Sequence, residues 1–192
     1  MKIIKIQLSA FLCAIFFSFF LLDFCQAENI ESKYFTIIFD CNCDFAEFVK
    51  KIDLQDSLNL DNISSGPQDI KSIVAESMDK LYLEISDVLD IHMYSYHGKI
   101  KVFSTKQEML DTAFRGASMA TSDLPGLYMP TDNTIYISFS DFTLGMLSHE
   151  IAHAIICNYF VTPPPLKVQE ILAGYVEYSV RKKAGDLNIN KH

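Results

Sequence analysis

The groups best placed to do chemistry in this 192-residue chain are His149, Glu150 and His153, in the run Leu147-Ser148-His149-Glu150-Ile151-Ala152-His153. On a helix, a four-residue spacing puts both imidazoles on one face, one turn apart. Neutral imidazole nitrogens are good zinc ligands. A glutamate beside the first ligand can act as general base on a water at the metal's open position. A chance occurrence of the pattern in this composition is expected at roughly 0.6 per cent, so two histidines that merely stack on an ordinary helix is the weaker reading. The flanks agree: Asp141 is a capping-type residue, and apolar residues at 144, 147, 151, 154 and 155 keep helical spacing.

A catalytic zinc site uses three protein ligands and one open position, so a third ligand should follow within reach. Ile156 and Tyr159 stand where an extended pattern would need a glycine and a third histidine. After a proline stop at Pro163-Pro164-Pro165, residues 166–178 are again helical in pattern, with Glu170 and Glu177 on one face.

Two blocks, His149-Glu150-x-x-His153 and Gln169-Glu170-Ile171-Leu172-Ala173-Gly174-Tyr175, resemble the gluzincin metallopeptidases, especially their small peptidase-MA-like domains. The resemblance implies one zinc ion per chain, held by His149, His153 and Glu170, with Glu150 as the catalytic base. It also implies a zincin-like fold. That fold is α+β, with a small mixed or antiparallel sheet packed on the motif helix, a second helix carrying the glutamate ligand, and a substrate-binding edge strand beside the metal. Many gluzincins carry a carboxylate four residues after the glutamate ligand, where it orients a metal-bound histidine; here that position is Gly174. Glu177 is a candidate replacement, with Asp141 or a backbone carbonyl as alternatives. Tyr175 and Tyr178 are candidates for stabilising charge on a carbonyl oxygen.

Lys2 and Lys5 followed by the apolar run Leu8 to Leu22 and by Cys25-Gln26-Ala27 read as an export signal cleaved before Glu28. The alternative is an uncleaved anchor. Cleavage removes Lys2, Lys5 and Asp23, taking the formal net charge from −8 to −9. So acidic a chain, with no basic patch, argues against electrostatic binding to nucleic acid or to anionic lipid. Residues 28–192 suit a single domain. The expectation is therefore an exported, secreted or periplasmic, zinc metallopeptidase acting on peptides or proteins. The alternative is an exported zinc-binding or interaction module with weak or no catalysis, since a small domain leaves the cleft shallow.

The elements that must position these residues follow from periodicity. Strands are expected at 34–39 and 99–104, and a hairpin joins 126–129 to 134–138 through Pro130-Thr131-Asp132-Asn133. Helices are expected at 69–89, whose apolar stripe is core, and at 106–115, ahead of the two motif helices. The stretch before Gly66 is polar loop with room for a short helix. Beyond the signal stand Cys41, Cys43 and Cys157: an odd count with open pairing, Cys157 reading best as a small thiol packed under the motif. Tyr128 and Tyr136 on the hairpin receive no role, nor do His92, His97 and His192.

Overall fold

The computed structural model describes residues 28–40, 45–52, 67–114 and 124–185. Residues 1–27, read from the sequence as an export signal, lie outside these residues, as do Cys41, Cys43, His192 and most of the polar stretch before Pro67. The fold is α+β, a five-stranded mixed sheet with five helices among the described residues. In chain order the elements are β1 (Glu28–Glu31), β2 (Phe35–Phe39), α1 (Phe45–Ile52), α2 (Pro67–Leu89), β3 (Gly98–Phe103), α3 (Lys106–Phe114), β4 (Gly126–Met129), β5 (Thr134–Ser138), α4 (Leu144–Tyr159) and α5 (Leu166–Lys183).

Strands run in the order β1-β2-β3-β5-β4. The central three are parallel, with Phe35 opposite Gly98 and Ile100 opposite Ile135, while β1 and β4 are antiparallel edges. Parallel neighbours require crossovers; α1 and α2 carry the chain from β2 to β3, and α3 carries it from β3 to β5. The strand β1, unanticipated from the sequence, pairs Ile30 with Ile37. Four residues are too short to show a period-two pattern.

The apolar stripe of α2 is core, as its spacing requires: Val74, Met78, Leu81 and Ile85 are buried. Tyr82 joins them, stacked on Tyr34 at 4.0 Å and on Tyr96 at 5.2 Å. Helix α4 is the central element, packed on β4 and β5 and on α2 and α5. Nearly every residue from Leu144 to Ile156 is buried, His149 and Glu150 being the half-buried exceptions. Its cap is Thr143, whose side chain accepts a hydrogen bond from the Met146 backbone at 3.1 Å. Asp141 does not fill that place, because a 3-10 turn at Phe139–Asp141 uses those residues first and buries Phe142 behind it. The Asp141 carboxylate faces Ser140 at 3.1 Å and Lys106 at 3.7 Å. Helix α5 runs on to Lys183, where Arg181, Lys182 and Lys183 complement its C-terminal dipole. Among the described residues no helix is long and apolar enough to cross a membrane.

A side chain in the turn of the β4–β5 hairpin ties it to the start of β3 and to α4. Asn133 sits at φ 51°, a left-handed conformation that asparagine tolerates better than most residues. Its amide donates to the His97 carbonyl at 3.0 Å, and its carbonyl accepts from Tyr128 at 3.0 Å and from Asn158 of α4 at 3.1 Å. Replacing Asn133 by Ala removes both the tolerance and the hydrogen bonds, with an expected loss of about 2 to 4 kcal/mol in denaturant unfolding. Asn133→Gly should recover only the backbone part. Equal losses in the two variants would show that the side-chain bonds alone matter.

Candidate metal centre

Helices α4 and α5, joined by the proline corner, pack against each other and bring three candidate ligands to one point. The His149 and His153 rings lie 4.9 Å apart between centroids, with Nε2 facing Nε2 at 3.1 Å. From α5, Glu170 sets Oε2 at 3.3 Å from His149 Nε2 and Oε1 at 3.5 Å from His153 Nε2. Ligands bound tetrahedrally to zinc at about 2.0 to 2.1 Å stand roughly 3.3 Å from one another. The three separations therefore bracket the edge of such a tetrahedron. Two imidazole nitrogens and a carboxylate that converge with their lone pairs suit a cation, and the donor set of two nitrogens and one oxygen suits zinc.

Glu150, next along α4, borders the same cleft. Burial pushes its carboxyl up to about 7, against the opposing pull of His149 and of the Tyr128 backbone N–H. Burial and then the neighbouring His149 hold the His153 imidazole below its ordinary value, with Glu170 pulling the other way. An open cleft of about 510 Å³ faces this group. It is lined by Leu124, Leu127, Tyr128 and Pro130 in and beside β4, and by Pro163, Leu166 and Gln169 at the corner and the start of α5.

Position 174 has no part in the arrangement: a Cβ built on Gly174 meets nothing within 4 Å. Glu177, two turns after Glu170, instead brings Oε2 to 3.3 Å from His149 Nδ1. The two atoms are within charge-pair distance, although their alignment falls short of a hydrogen bond and Nδ1 is otherwise a buried atom without a partner. The other Glu177 oxygen lies 3.5 Å from Arg181. Asp141, the alternative considered from sequence, is engaged elsewhere, as described above.

Tyr175 and Tyr178 are not on the cleft. They are 58% and 48% exposed and share the outward face of α5 with Val168 and Ile171. Helical rotation explains this: once Glu170 and Glu177 point toward α4, residues 175 and 178 are turned away. Cys157 carries a free thiol, donating to Gln169 Oε1 at 3.3 Å on the cleft wall. His92 pairs with Asp87 and His97 with the Lys33 carbonyl, both away from the centre.

Two contributors were given no role in the sequence reading. Tyr128 lines the cleft, with its hydroxyl held by Asn133 and Asn158. Gly145 lies one turn before His149, where an added Cβ would come within 2.7 Å of Arg181 Cδ and 3.3 Å of Glu177 Cγ. The missing side chain at residue 145 thus leaves the space that the Arg181 and Glu177 side chains occupy. A glycine inside a helical pattern was the available signal, since it costs about 1 kcal/mol relative to alanine and calls for a packing reason.

Comparison of the chain with protein-family models, with curated proteins and with solved structures returns no match.

Carboxylates that orient a ligating histidine usually contribute roughly 10 to 100-fold in metal affinity. Glu177→Ala should weaken zinc binding by that factor in a competition titration, and unchanged affinity would deny the residue that role. Gly145→Leu should push α5 outward, lowering stability by about 1 to 3 kcal/mol and zinc affinity at least tenfold together. A loss of stability with no change in affinity would separate the glycine from the site.

Proposed function

We propose that the chain is an exported zinc-dependent metallopeptidase of zincin-like arrangement, hydrolysing peptide bonds. The observation that carries this reading is the convergence of one ligand atom each from His149, His153 and Glu170, all within 4.8 Å of one another, beside the Glu150 carboxylate. When bound there, zinc supplies electrophilic activation of a water and of the carbonyl under attack. The remaining work falls to the chain. Glu150 takes a proton from the water as its oxygen adds to the carbonyl carbon, then returns the proton to the amide nitrogen as the C–N bond breaks.

Strand β4 borders the cleft and, among the described residues, ends the sheet, a place where an extended peptide can add as a further strand by backbone hydrogen bonds. Its register is held at a distance from the metal by Asn133 and Asn158. Glu177 near His149 Nδ1 supports the metal-binding part of this reading, because it brings a carboxylate to within 3.3 Å of that ring where Gly174 supplies none. Neither Tyr175 nor Tyr178 supports transition-state stabilisation from its place on the outer face of α5. The basic, apolar and small-residue segments of residues 1–27 support export by a signal peptide.

Elemental analysis of the purified full-length protein should find one zinc per chain, and Glu170→Ala should lose it. Glu150→Gln should keep the zinc while peptide hydrolysis falls by roughly 100 to 10,000-fold. Intact, folded protein without zinc would end this reading. Retained turnover in Glu150→Gln would remove the base assignment alone.

A further inference from the structure

Among the described residues, eight of the eleven large apolar or aromatic side chains left exposed fall between Tyr159 and Tyr178, at the proline corner and along α5. Four of them form one stripe. Val168, Ile171, Tyr175 and Tyr178 are 42, 63, 58 and 48% exposed. They follow one another at spacings of three, four and three residues, which holds them within about 80° of helical arc. The opposite face, Ala173, Val176 and Val180, is buried. Helix α5 is therefore apolar on two sides, and the fold covers one of them. Gly174 flanks the open stripe, where a Cβ would meet nothing within 4 Å.

Spacings of three and four are those of a seam that packs on another helix. The order three, four, three also reads the same in both directions, so the stripe is complementary to itself. Laid antiparallel on its own copy, it puts Val168 opposite Tyr178 and Ile171 opposite Tyr175, an aliphatic side chain on an aromatic ring at every layer. Charge selects this direction. Lys182 stands one heptad after Tyr175 on the same stripe, so a parallel pair would set Lys182 on Lys182, whereas an antiparallel pair carries it past the start of the facing helix. The area is sufficient. At roughly 200 Å² per large side chain, the stripe leaves on the order of 400 Å² of apolar surface on each copy. Homodimer interfaces are about 65% apolar, so two such stripes correspond to about 1,200 Å² in total, above the ~1,000 Å² that a specific interface needs.

We infer that α5 pairs antiparallel with α5 of a second copy through Val168, Ile171, Tyr175 and Tyr178, making the protein a two-fold dimer. Glu170 and Glu177 lie on a different face, turned toward His149. Pairing leaves them untouched, and the inference stands apart from what the site binds.

Sedimentation velocity of the full-length protein from about 1 to 100 μM, a range suited to an interface of this modest size, should show monomer passing to dimer. Ile171→Glu and Tyr175→Lys each set a charge in the apolar seam and should weaken the dimer roughly tenfold or more. Both positions are mostly exposed, so far-UV circular dichroism and metal content should stay as in the unaltered protein. Mixed in equal amounts, the two variants should regain the dimer, because the antiparallel register sets the introduced carboxylate of one chain against the introduced ammonium of the other. A monomer at every concentration, a dimer indifferent to both substitutions, or a mixture that stays monomeric would each overturn the inference. A monomer that instead sediments with phosphatidylcholine/phosphatidylglycerol vesicles would overturn it in favour of a lipid surface.

Discussion

The packing of α4 against α5 is the constraint on which the site depends. It holds two imidazole nitrogens 3.1 Å apart with a carboxylate facing both. Electron pairs pointed at a common centre repel unless a proton or a cation stands between them, so the arrangement lasts only if the surroundings enforce it. On one side the enforcement is burial of α4 on every face but the one that carries His149 and Glu150. On the other it is close approach: Gly145 lets Arg181 and Glu177 lie across α4, and the carboxylate reaches behind the first histidine.

The cleft extends the same logic outward. Part of its lining comes from the sheet itself, through β4. Placing β4 antiparallel beyond β5 sets this strand on the wall of the cleft, beside the candidate metal centre. An edge strand of four residues would be mobile if only the ladder held it. Here Asn133, Tyr128 and Asn158 tie the hairpin to the end of α4 and to the start of β3, so the wall is rigidly related to the helix that bears the histidines. Among the described residues, Tyr128, Cys157 and Gln169 on the cleft lining are engaged in such ties and in the Cys157–Gln169–Pro164 chain.

Legibility from sequence differed by element, for physical reasons. Helix α2 was readable to within two residues because its apolar stripe runs for more than five turns, and the hairpin because turn-forming residues separate two short apolar runs. Strand β1 was missed because four residues carry no measurable period. The cap of α4 was misplaced by two residues, since Asp141 and Thr143 are both capping types and only the 3-10 turn decides between them.

Ligand spacing and chemistry are properties of the sequence: i, i+4 puts His149 and His153 on one face of any helix they form, and the Glu170–Glu177 spacing does the same on the next. Which way those faces point is not. The crossing of α4 and α5 turns Glu177 toward His149 and leaves Tyr175 and Tyr178 in solvent, and the order of strands puts Tyr128 on the cleft wall. Helical and strand periodicity are local and repeat along the chain, whereas contacts between elements join residues far apart in sequence, so only the packed structure decides them.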